Sequence, residues 1–166
     1  MIIIKQGNIV DAKEPYIIDC RNCQGQMRSG VAKELKIKYP LVYQEYYNKW
    51  KNTKDKKSLL GQIQYVPAAY NTTIIGIFGQ FNYGYDKKQY LNYSALFKGL
   101  LDITKEVNGD IALPYKIGCG RAGGRWSTVY SFLKAIAQDF EFNIVLYKYD
   151  KEDKWWYYCS INIIVK

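Results

Sequence analysis

Short apolar runs of strand type alternate along this chain with segments of helical period, and that alternation directs it to the α/β class. Residues 2–4, 16–19, 62–66, 73–78, 110–114, 143–148 and 157–165 read as strands. The run at 73–78 is apolar almost throughout, as a strand buried on both faces must be. Residues 31–37 and 41–50, separated by Pro40, read as helices, as do 88–107 and the stretch beyond 126, where Ser127 or Thr128 is expected near the cap. Asp150-Lys151-Glu152-Asp153 reads as a turn before the last strand. At 166 residues, 48% hydrophobic and 23% charged, the chain has material for one core. The expectation is a single domain over 1–166, an α/β sandwich with a mostly central sheet.

Two loops stand out because each leaves a strand and enters a helix. Asn22-Cys23-Gln24-Gly25-Gln26-Met27-Arg28-Ser29-Gly30 precedes the helix at Val31, and residues 118–124 hold four glycines in seven residues ahead of Trp126. Ligands of open α/β sheets sit outside the carboxyl ends of strands, where such loops diverge. Glycine lets backbone N–H groups approach an anion, and a helix N-terminus adds a favourable dipole. Two loops of this kind can grip a diphosphate from both sides. No Gly-Lys-Ser/Thr follows the glycines, so this is not a Walker loop. Gly118, Gly120 and Gly123 fit GxGxxG spacing, but the acid about 20 residues on, Asp139 or Glu141, falls in the tail of a helix rather than after a strand.

Twenty-four Lys and Arg against 15 Asp and Glu give a net charge of +9. The excess is concentrated early, with 12 basic and 6 acidic residues in 1–57. It suits a polyanionic partner, or simply a lysine-rich surface. Histidine is absent. This excludes Ser-His-Asp and Cys-His nucleophilic schemes and any imidazole base, leaving carboxylates, amides, lysines or thiols for any chemistry. Of the four cysteines, Cys20 and Cys23 have metal-type spacing but lack a second pair, so free thiols are expected at 20, 23, 119 and 159. No metal or cofactor is expected. No apolar run approaches the roughly 20 residues of a membrane span, and MIIIKQGN does not read as a signal peptide. A cytoplasmic, monomeric protein without membrane contact is the expectation.

Four segments, in order, carry a family resemblance: Gly7-Asn8-Ile9, NCQGQMRSGVA from Asn22, Ile77-Phe78-Gly79-Gln80, and LPYKIGCGRAGGRW from Leu113. Together they resemble the macrodomains, modules that bind ADP-ribose, and most of all the branch of ADP-ribosyl glycohydrolases and ADP-ribose-1''-phosphate phosphatases. The resemblance implies a three-layer α/β/α sandwich with a central mixed sheet and ADP-ribose in a cleft at the strand ends. Asn8 and Ile9 would lie at the adenine, Asn8 in place of a common Asp. Asn22 and Gln24 would lie by the distal ribose. Arg28, Ser29, Gly30 and Val31 would wrap the phosphates from one side. Gly118, Cys119, Gly120, Arg121, Ala122, Gly123 and Gly124 would do so from the other.

The chain departs from this branch where its chemistry resides. The glycohydrolase lysine aligns with Gln80, and Ala122 stands where they carry an aspartate. The histidine of phosphatase relatives is matched by Asp19, a carboxylate able to act as a base toward water. Asp19, Asn22, Gln24 and Gln80 are thus the catalytic candidates. Three functions follow as expectations. The first is hydrolysis of ADP-ribose-1''-phosphate or an ADP-ribosyl ester at the distal ribose. The second is non-catalytic binding of ADP-ribose, of a cyclic ADP-ribose-type signal, or of an ADP-ribosylated protein or nucleic acid. The third is a basic nucleic-acid-binding module, suggested by the charge and by Tyr46, Tyr47 and Trp50 among lysines.

Overall fold

A computed structural model describes residues 1–68, 71–86 and 88–149. Strands β1 (Ile2–Gln6), β2 (Tyr16–Asn22), β3 (Ile63–Pro67), β4 (Thr73–Gln80), β5 (Ile111–Pro114) and β6 (Ile144–Lys148) form one sheet in the order β1-β6-β5-β2-β4-β3. All neighbouring pairs are parallel except β3 with β4, so the sheet is mixed. The expected strand at 157–165, the turn at 150–153 and Cys159 lie outside the described residues.

Helices α1 (Gly30–Lys38) and α2 (Pro40–Asn52) cover one face, and α3 (Tyr93–Glu106) and α4 (Trp126–Asp139) the other. The core is accordingly double. Ile17, Ile74 and Phe78 point toward Leu35, Val42 and Tyr46, while Ile18, Ile75 and Ile77 point toward Leu96, Leu100 and Leu133. This is the period-2 alternation of two central strands buried on both sides. The expected three-layer α/β/α sandwich with a mixed sheet is what the chain adopts.

Among the boundaries that differ from the sequence reading, three have a clear local reason. β2 runs on through Cys20, Arg21 and Asn22 because these residues pair with Ile77, Phe78 and Gln80 of β4. α3 begins at Tyr93, not 88: Asn92 caps it by accepting from the Ala95 N–H at 2.9 Å, while Leu91 N–H is drawn off to Ala122 O at 2.8 Å. α4 is capped at Arg125 without a side-chain bond, which places Ser127 and Thr128 inside its first turn. Tyr93 Oη accepts from the Arg125 N–H at 2.7 Å and ties down that entry instead.

Candidate functional site

The β2, β4 and β5 strands all run parallel, so their carboxyl ends open on the same edge of the sheet. There the two loops meet around one cavity of about 410 Å³. From the first loop and α1 it is lined by Asn22, Gln26, Arg28, Ser29, Gly30, Val31 and Ala32. From the second it is lined by residues 114–122, which include Gly118, Cys119, Gly120, Arg121 and Ala122. Asp19 and Cys20 of β2, with Gln80 and Tyr83, complete the lining.

The N-terminus of α1 is bare on this side. Ser29 occupies the cap position in extended conformation without a side-chain hydrogen bond, so the first N–H groups of the helix keep no capping oxygen. Gly30, at φ +55°, would carry a Cβ into open space, and the same holds for Gly120 across the cavity. An anion can therefore come close to the backbone from both loops. Three cations stand on the rim, Arg28, Lys116 and Arg121, none ion-paired among the described residues. Lys116 holds φ +61°, a left-handed conformation in which a non-glycine residue is strained.

Among the described residues Asp19 is the only carboxylate lining the cavity, and it is already matched. Both its oxygens accept from Arg21 Nε at 3.1 Å, and Arg21 Nη2 lies 3.0 Å from Oδ1 in an ion-pair contact that does not meet hydrogen-bond geometry. Arg21 Nη1 donates to Gln64 at 2.9 Å, and the guanidinium lies over Gly76, whose absent Cβ leaves the room. The pair is buried, and the guanidinium offsets the cost of burying the carboxylate.

The amides expected to serve the ligand are engaged in holding the loop. Asn22 Oδ1 accepts from the Gln24 N–H at 2.9 Å and its Nδ2 donates to Gln26 O at 2.8 Å. Tyr46, on the buried face of α2, donates to Asn22 and accepts from the Gln26 N–H at 3.0 Å. Gln24 donates to Phe81 O at 2.9 Å and does not line the cavity. Gln80 lines it while donating to Asn82 O at 2.9 Å. Burial pushes the Cys20 thiol up to about 12 and the Cys119 thiol up to about 11, so neither is a thiolate near neutral pH.

Other expected contacts fall away from this cavity. Asn8 caps the turn at 9–11 by accepting from the Val10 N–H, and Ile9 is buried in the α1–α2 core. Gly123 and Gly124 shape the second loop: a Cβ on Gly123, at φ +68°, would stand 2.3 Å from Lys88 O, and one on Gly124 2.4 Å from Leu91. Lys116 and Tyr83 were missed. Lys116 adjoins the glycine-rich run and was legible from that adjacency, whereas nothing in the sequence marks Tyr83. Among the described residues no group of His, Cys, Asp and Glu could hold a metal ion, and no helix is long and apolar enough to cross a membrane.

In open α/β sheets ligands bind outside the carboxyl ends of the strands, which is where this cleft lies. No protein-family model matches the chain, and no curated protein does. Solved structures do match it. A protein of unknown function from Bacteroides thetaiotaomicron superposes with TM-score 0.76 at 21% identity, covering 89% of this chain and 98% of its own. The macrodomain of Mycobacterium tuberculosis DarG gives TM-score 0.74 at 21% identity, covering 89% and 97%. Thermosipho africanus DarTG in complex with ADP-ribose gives 0.70 at 21% identity, covering 88% of this chain and 41% of that one. The fold is that of the macrodomains, as the sequence resemblance implied.

Proposed function

We propose that this protein binds ADP-ribose, or a derivative of it, in the cleft between the two loops. The diphosphate lies between the bare N-terminus of α1 and the 118–122 backbone, with Arg28, Lys116 and Arg121 around it. One observation carries this: three rim cations lack any described carboxylate partner, while the one carboxylate that lines the cavity among the described residues is matched by Arg21. Such a cavity has an excess of positive charge that a dianionic ligand neutralises. The ADP-ribose held by the structurally similar Thermosipho protein supports this choice of ligand.

Binding without turnover is better supported than hydrolysis at the distal ribose. Asn22, Gln24 and Gln80 are engaged with backbone groups, Asp19 is held by a guanidinium, and Cys20 and Cys119 are protonated thiols. Titration calorimetry with ADP-ribose tests the binding, and absence of heat and of thermal shift overturns it. Incubation with ADP-ribose-1''-phosphate and with an ADP-ribosylated ester is expected to release neither phosphate nor ADP-ribose. Turnover of either restores the hydrolase, with Asp19 the residue to test first by Asp19→Asn.

A further inference from the structure

We propose that Tyr85 is a positioning residue for Arg121, fixing its guanidinium at the rim of the cleft without neutralising it; this rests on the ADP-ribose assignment of that cleft. The Arg121 guanidinium carbon stands 3.7 Å from the centroid of the Tyr85 ring. Arg121 has no ion pair with a described carboxylate. The one acid of residues 81–92, Asp86, is occupied instead: it accepts from Tyr90 Oη at 3.1 and 3.0 Å and lies 3.4 Å from Lys88 Nζ.

A carboxylate beside Arg121 would orient the side chain equally well, but it would cancel the charge that a diphosphate requires. An aromatic face orients the guanidinium through its quadrupole and leaves the full positive charge for the ligand. Tyr85 is 77% exposed, so packing of the core does not account for the ring's placement. Its segment is also held in register with the glycine-rich loop. The N–H groups of Tyr90 and Leu91 both donate to Ala122 O at 2.8 Å, and Gly123 sits directly beneath Lys88 O. Ring and cation thus stand on neighbouring segments, tied to each other at Tyr90 and Leu91.

The test is a double-mutant cycle read by calorimetry with ADP-ribose, with inorganic pyrophosphate as a second probe. Tyr85→Ala is expected to weaken binding about three- to fivefold, and Tyr85→Phe, which keeps the ring face, to stay within about 1.5-fold of wild type. In an Arg121→Ala background, Tyr85→Ala is expected to change affinity by less than about 1.5-fold. The exposed position leaves folding intact, which urea midpoints check. Equal loss in both backgrounds, equal loss in Tyr85→Phe and Tyr85→Ala, or no loss in Tyr85→Ala overturns the proposal. If wild type binds pyrophosphate but not ADP-ribose, the ligand assignment fails while the same cycle, read with pyrophosphate, decides the role of Tyr85. If wild type binds neither, both fall.

Discussion

Asp19 and Arg21 stand two apart on β2, so both side chains point to the α1–α2 face, where the apolar surroundings leave each dependent on the other. Arg21→Ala leaves a buried carboxylate without its cation and is expected to cost about 3–5 kcal/mol of stability by urea unfolding. Gly76→Ala should act through the same pair, because its Cβ would stand 2.1 Å from the Arg21 guanidinium carbon. A second buried carboxylate, Glu14, has a different balance. Burial pushes its pKa up, but hydrogen bonds from Lys5 at 2.7 Å and Tyr147 at 2.8 Å outweigh this, leaving it below the ordinary value of 4.5. A depressed folded-state pKa contributes stability above the unfolded pKa and loses it as pH falls through the folded one. Glu14→Gln is therefore expected to lower stability at neutral pH by about 1–2 kcal/mol and to flatten the stability curve below about pH 4.5. A curve parallel to wild type through that window rejects the assignment.

At the scale of elements, the two loops are held by different means, and their glycines respond differently to substitution. Gly120→Glu puts a carboxylate into open space, so it should weaken ADP-ribose binding at least about tenfold by opposing the phosphates while thermal stability stays near wild type. Gly123→Glu meets the Lys88 carbonyl and a φ of +68°, so it should lower the melting temperature as well. Calorimetry and thermal melts on the pair separate charge in the cleft from damage to the loop. The first loop hangs on the Tyr46 hydroxyl, and Tyr46→Phe should cost about 1–2 kcal/mol. The apolar runs of β2 and β4 and the helical period of α3 and α4 were legible in the sequence, since burial on two faces writes itself into composition. The start of α3 was not, because Leu91 keeps helical spacing while packing beneath Gly118 and Gly124. Within the site, both glycine-bearing loops were legible as strand-to-helix connections. What Asn22 and Gln24 do was not, since an amide that braces its own loop and one that meets a ligand have the same sequence. The Asp19–Arg21 pair escaped notice for a related reason: an i, i+2 charge pair shows its burial only once α2 is laid over it.

For the molecule as a whole, the question is whether the +9 charge acts at the cleft or across the surface. Of the aromatic run on α2, Tyr46 is buried and Tyr47, though exposed, packs against Tyr43 and Trp50. Lys36 Nζ lies 3.7 Å from the centroid of the Tyr43 ring, Lys56 Nζ stands 4.5 Å from that of Trp50, and the Trp50 ring also packs against Gly25. A single-stranded oligonucleotide then meets mainly exposed lysines, and its affinity should fall steeply with salt and vanish near about 0.15 M. ADP-ribose, held by backbone N–H groups and clustered cations in a half-open cleft, should retain more of its affinity over the same range, because screening acts less on a partly buried site. Fluorescence anisotropy with a labelled oligonucleotide, run at rising salt with and without saturating ADP-ribose, separates the two. Oligonucleotide binding that survives at 0.15 M and is displaced by ADP-ribose would show the cleft itself to be the polynucleotide site, and the surface charge would then be a guide leading the strand into it.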